Sequence, residues 1–248
     1  MTEPLQGLPE RTRRHLSELT ETLRALLGAD LAALLVYGSA ARGGFQPEQS
    51  NVDLLLVLRA GGDETELLRR IGPALVLARH AARIETMLLR SDEIQRAADV
   101  FPLLYDDIRA HHMLLHGENP FAALVIHDAH RRVRIEQALR EARLRGRRLF
   151  SDTTANPRAL AAGLDRKLKQ LRAPLHALLR LRGQGGSDDL RTVLGAVAAR
   201  YRLDAAPLFR VPEDPGAAYA ALGRLLDAAI SDIDQDGPEG QGEQGGAS

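Results

Sequence analysis

The chain contains no cysteine. Disulfides, thiol nucleophiles and cysteine-ligated zinc are therefore excluded, and the absence suits a reducing compartment. Net charge is missing too: 33 Lys+Arg against 33 Asp+Glu leave +0 at pH 7, so any preference for nucleic acid or an anionic membrane has to come from a local patch. Aromatic residues make up 4% of the chain, which leaves little for stacking on exposed bases. Lysine is confined to Lys167 and Lys169. The basic charge is thus nearly all arginine, a bias that codon usage explains as readily as phosphate chemistry. No run approaches the length that spans a bilayer, and the opening MTEPLQGLPERTRRHL has no apolar h-region. A cytoplasmic location with no membrane partner is expected.

What is present is 248 residues, 44% of them hydrophobic, enough for a real core in one large or two small domains. Apolar positions Leu16, Leu19, Leu23, Leu26 and Leu27 recur at helical spacing, so Pro9 to Leu27 is expected to form a helix covering a sheet. Two short continuous apolar runs follow, Leu31 to Tyr37 and Val52 to Leu58, each reading as a buried strand. The second carries one acid, Asp53, among six aliphatic residues. A buried carboxylate without a cation or donors costs several kcal/mol, so Asp53 asks for an explanation. Between the runs, Gly38-Ser39 stands where a strand hands over to a turn or helix; its backbone N–H groups, the Ser39 hydroxyl and the fork of Arg42 could meet a phosphate.

Gly38-Ser39-Ala40-Ala41-Arg42-Gly43 followed by Ser50-Asn51-Val52-Asp53-Leu54-Leu55-Leu56-Val57 resembles the signature of the DNA polymerase beta-like nucleotidyltransferases, in the branch with the minimal and aminoglycoside nucleotidyltransferases. That signature is Gly-Ser, a loop, then two acids flanking one apolar residue at the start of a strand. Here the first acid is replaced by Asn51. The resemblance implies an α+β fold with a nucleotidyltransferase domain, a small mixed sheet with flanking helices, over 1–118; the change of character past Pro120 suggests an all-α bundle over 119–233, and the glycine-, glutamine- and acid-rich end without an apolar anchor suggests a disordered tail over 234–248. It also implies a nucleoside triphosphate as substrate, transfer of its nucleoside monophosphate to an unknown hydroxyl acceptor, and Mg2+ held at Asn51, Asp53 and Glu85. In the family a later strand supplies the third carboxylate, and Glu85, in Arg83 to Leu89, holds that position; the alternative is a strand-edge charge paired with Arg83 or Arg90. Gly38, Ser39 and Arg42 would bind the nucleotide.

Period-2 geometry puts positions 51 and 53 on one face of a strand, so both could reach one ion. Asn51 keeps an oxygen but removes a full charge, and magnesium favours carboxylates together with substrate phosphates. Were that charge worth roughly 3 kcal/mol, occupancy would fall about a hundredfold. The functional expectation is thus a nucleotidyltransferase weakened at its metal site. The alternative is a catalytically degenerate, nucleotide-binding or regulatory protein. A narrower form of it, an antitoxin-like partner of a helical protein, has no Arg-x4-6-His nuclease pair in the helical region to support it; Arg109 and His116 have that spacing but lie before it.

Asp63 with Glu66 suggests a capping box opening a helix that Pro73 kinks or divides. Ser91 to Ala98 suggests a short helix, and Phe101 to His116 a helix followed by the apolar MLLH; in many bacterial family members a last strand ends the domain there. Asp106, Asp107, His111, His112 and His116 suggest metal only superficially, because His111 and His112 would diverge on a helix. Beyond Pro120, helices are expected over Phe121–Phe150, Pro157–Arg182, Asp188–Tyr201 and Gly216–Ile233. Eight arginines between Arg131 and Arg148 read as a solvated face in preference to an RNA surface. Ser231-Asp232-Ile233-Asp234 spells the acid pair missing at 51, but it ends a helix and follows no Gly-Ser turn. A homo-oligomer or a helical protein partner stays open.

Overall fold

The computed structural model describes residues 5, 7–47 and 50–235. The chain divides into two compact units, Met1–Ile126 and His127–Ser248. In the first, α1 (Glu10–Leu27) leads into β1 (Leu31–Tyr37), the short α2 (Gly38–Ala41), β2 (Val52–Leu58), α3 (Glu64–Ala82), β3 (Ile84–Arg90), α4 (Glu93–Arg96), α5 (Pro102–Ala110) and β4 (His112–Gly117). The sheet order is β3-β2-β1-β4, with β2 and β3 parallel and the other pairs antiparallel.

Apart from Asp53, both central strands are apolar because both faces of the sheet are covered. Alternation sends Leu34, Val36, Val52, Leu54, Leu56 and Leu58 to a core shared with α1 and α3. The opposite residues, Ala33, Leu35, Leu55 and Val57, meet Tyr105, Ile108 and Phe121 in a second core. A register shift between Leu31 and Ala33 places Leu31 on the same face as Leu34.

Asp63 caps α3, its carboxylate accepting the Glu66 N–H at 3.2 Å, while Glu66 pairs with Arg69 instead of reaching back. The helix is continuous through Pro73. His112 to Gly117 is a strand, so His111 and His112 lie at a helix-strand junction and not on one helix.

In the helical unit, α6 (Asp128–Thr153), α7 (Pro157–Leu181), α8 (Leu190–Arg200) and α9 (Pro215–Asp234) form the bundle. α6 packs on α7 and α9, and α7 on α8. α6 starts seven residues later than its periodicity suggests. The reason is that Phe121, Leu124 and Ile126 are buried in the core of the sheet unit, and Arg109 donates to the Leu124 carbonyl at 3.2 Å. Along α6 much of the arginine charge is answered locally, with pairs such as Arg140–Glu136, Arg143–Asp227 and Arg145–Glu141. The expected tail over 234–248 begins on Asp234, which ends α9; its residues 236–248 lie outside the described residues.

Candidate functional site

Asp53 sits one residue into β2, on the face that carries Leu55 and Val57 into the second core. Its neighbours in register are Glu85 on β3 and Tyr37 on β1, and Tyr37 in turn faces His112 on β4. One row across the sheet therefore reads Glu85, Asp53, Tyr37, His112, with adjacent strands about 4.8 Å apart. The parallel pairing of β2 with β3 puts the two carboxylates side by side.

Gly38 closes the row from above. Its φ is +70°, in the left-handed region, and a Cβ there would run into the Asp53 carboxylate, whose Cγ lies 3.3 Å from that position. The Gly-Ser turn and the acid are thus one packed unit. Ser39 is the second residue of α2, and its carbonyl accepts the Gly44 N–H at 3.0 Å.

The other expected residues are drawn to partners of their own. Arg42 donates to Asp107 of α5 at 2.7 Å, both side chains about four-fifths buried. The Asn51 side-chain oxygen accepts from Arg83 Nε at 3.2 Å. Glu85 pairs with Arg79 at 3.1 Å, so its partner comes from the last turn of α3 and is neither Arg83 nor Arg90. His112 Nδ1 donates to the Ile108 carbonyl at 2.8 Å.

Burial raises the Asp53 carboxyl above its ordinary range; Arg42 works against this, while Glu85 and Asp107 add to it. The Tyr37 hydroxyl is pushed up to about 12 by burial and by the charges of Asp53 and Asp107. Burial, more than like charge, disfavours the ionised Asp53, and a cation beside it would favour that form.

Among the described residues no three His, Asp or Glu side chains are grouped as a metal centre. The donors nevertheless fit one divalent cation, because magnesium commonly takes one or two carboxylates and completes its octahedron with water and substrate phosphates. Asp53 and Glu85 would hold it, and the Asn51 oxygen would join only after leaving Arg83.

Tyr37 was not apparent as a site residue, and Asp107 was set aside with the superficial metal cluster of its segment. Tyr37 carried a usable signal: it precedes Gly38, and a β1-β2 hairpin must pair the end of one strand with the start of the other. Asp107 lies 65 positions from Arg42, and no local pattern announces such a contact.

With these elements in place, the chain superimposes on a spectinomycin adenyltransferase, AAD(9), from Enterococcus faecialis, whose crystal structure contains ATP and spectinomycin. The TM-score is 0.53 at 13% identity, covering 88% of this chain and 98% of that one. This is a nucleotidyltransferase fold. This chain's mixed four-stranded sheet with flanking helices, followed by a helical part, matches that fold. At such identity the likeness establishes the nucleotidyltransferase fold and no more. No protein-family model and no curated protein sequence matches the chain. Among the described residues, no helix of this nucleotidyltransferase fold is long and apolar enough to cross a membrane.

Proposed function

We propose that the protein transfers a nucleoside monophosphate from a nucleoside triphosphate to a hydroxyl acceptor, with Asp53 as the indispensable carboxylate. The observation that carries this reading is the close approach of Gly38 to Asp53, which joins a phosphate-type turn to a half-buried acid whose ionised form burial disfavours. Gly38, Ser39 and Arg42 would receive the phosphates. The acceptor oxygen attacks the α-phosphorus, the bond from that phosphorus to the pyrophosphate oxygen breaks, and the hydroxyl proton passes to a carboxylate, a role assigned to Glu85. Magnesium bound at Asp53 and Glu85 would neutralise the phosphates and orient the attacking hydroxyl. The neighbour's crystal holds ATP together with spectinomycin, and this supports a hydroxyl compound as the acceptor class.

A second reading draws on the internal pairs. Arg42, Asn51 and Glu85 are held by Asp107, Arg83 and Arg79, as expected of a protein that binds nucleotide without turning it over. Pyrophosphate release from ATP and GTP with magnesium and a panel of hydroxyl compounds separates the two. Release that disappears in Asp53→Ala supports the enzyme. Release that appears only in Asn51→Asp supports the degenerate binder, and release unaffected by Asp53→Ala overturns the site assignment.

A further inference from the structure

The row Glu85, Asp53, Tyr37, His112 has a direction, and so has an in-line displacement, in which the attacking oxygen, the phosphorus and the leaving oxygen share one line. Under the transfer proposed above, Glu85 takes the acceptor proton at one end of the row and Asp53 serves the α-phosphate. The leaving pyrophosphate then points away from Glu85, toward the next strand about 4.8 Å on, where Tyr37 stands opposite Asp53. The Gly38-Ser39 turn follows directly on Tyr37, and Gly38 closes over Asp53. Row and turn therefore put the phosphates at the same place by two separate arguments.

Tyr37 is half-buried, with its ring packed on the second core. Its hydroxyl is nonetheless neither sealed from solvent nor bonded to another group among the described residues. Burial and the charges of Asp53 and Asp107 push its pKa up to about 12, so the phenol keeps its proton and stays a donor at neutral pH. Its neighbours offer less. Arg42 shares its charge with Asp107. His112 spends Nδ1–H on the Ile108 carbonyl, so its neutral ring shows only a lone pair at Nε2, which a phosphate oxygen avoids.

We infer that the Tyr37 hydroxyl donates a hydrogen bond to the pyrophosphate as it leaves the α-phosphorus. This rests on the transfer reading. The acceptor oxygen forms its bond to phosphorus, the electron pair of the breaking bond settles on the pyrophosphate oxygen, and the acceptor proton goes to Glu85. The phenol shares its own proton with that oxygen and keeps it. A donor aimed where charge develops lowers the barrier, and its loss costs about a hundredfold in kcat.

The test is calorimetric titration of the intact chain with magnesium pyrophosphate and with AMP, comparing wild type, Tyr37→Phe and Asp53→Ala. Tyr37→Phe keeps the ring and its packing, and removes only the donor. It should bind pyrophosphate about tenfold more weakly, the worth of one hydrogen bond to a charged group, and AMP as before. Where pyrophosphate release is measurable, ATP analogues with β,γ-methylene and β,γ-difluoromethylene bridges vary the basicity of the leaving group. Tyr37→Phe should widen the rate difference between them, an effect that a merely structural tyrosine would not have. Unchanged pyrophosphate affinity in Tyr37→Phe, or equal weakening of AMP and pyrophosphate, would overturn the inference; the transfer reading would still stand if Asp53→Ala abolishes binding. Absence of pyrophosphate binding in the wild type would overturn both.

Discussion

Asp53 and Asp232 are both partly buried aspartates, one in each unit, and the chain treats them in opposite ways. Asp232 is saturated: Tyr201 donates at 2.7 Å, Arg182 at 3.1 Å and Arg200 at 3.3 Å. Burial works against its charge, but these donors outweigh it and hold the carboxyl below its ordinary range. Its partner Tyr201 is pushed the other way, by burial and by that same hydrogen bond. Asp53 receives no such set of donors and stays above its ordinary range. Asp232 is thus satisfied by the fold, whereas burial leaves the ionised form of Asp53 disfavoured.

The sharpest way to break this contrast is at the turn. Gly38→Ala must adopt a left-handed φ and also displace Asp53, so a loss of about 3 kcal/mol is expected from the summed backbone and overlap penalties. Urea denaturation measures it, and nucleotide binding should disappear with it. Next comes Asp232→Ala, which removes the carboxylate shared by Arg182, Arg200 and Tyr201. The partners are 17% and 27% exposed, so solvent softens the loss to about 2 kcal/mol, below that of a fully buried pair. Nucleotide binding should be untouched.

Asp53→Asn should do the reverse of Asp232→Ala and raise the melting temperature at pH 7. The sign follows from linkage. A carboxyl whose folded pKa is raised binds its proton more tightly when native, so that stability is present below the unfolded value and lost as pH rises through the folded one. The gain from Asn is therefore greatest at neutral pH and vanishes below the ordinary value of 3.8. Thermal melts across that range check it. Glu85→Gln is expected to have the smallest effect on stability, within about 0.5 kcal/mol, because its pair with Arg79 is largely exposed. Any pyrophosphate release should nonetheless fall in this variant.

The sheet unit was legible where pattern and packing agree. Leu31–Tyr37 and Val52–Leu58 are strands at the residues their apolar runs mark, since a strand covered on both faces has no polar alternation to blur its ends. Asp53 stood out for the same reason. Partner choice was not legible: Arg42 reaches Asp107, Asn51 reaches Arg83 and Glu85 reaches Arg79, contacts fixed by how α3 and α5 return to the sheet. The start of α6 was misplaced because Phe121, Leu124 and Ile126 carry enough apolar surface to continue a helix yet bury it in the sheet unit instead. The acids of Ser231 to Asp234 have partners within the helical unit, Asp232 in an arginine and tyrosine cage and Asp234 on Arg140.

The most direct measurement is a calorimetric titration of the intact chain with ATP and with GTP, in the presence and absence of magnesium, beside Asp53→Ala. The account predicts magnesium-dependent binding in the wild type that Asp53→Ala loses without loss of fold. Binding that ignores both magnesium and Asp53, or no binding under any of these conditions, would contradict it.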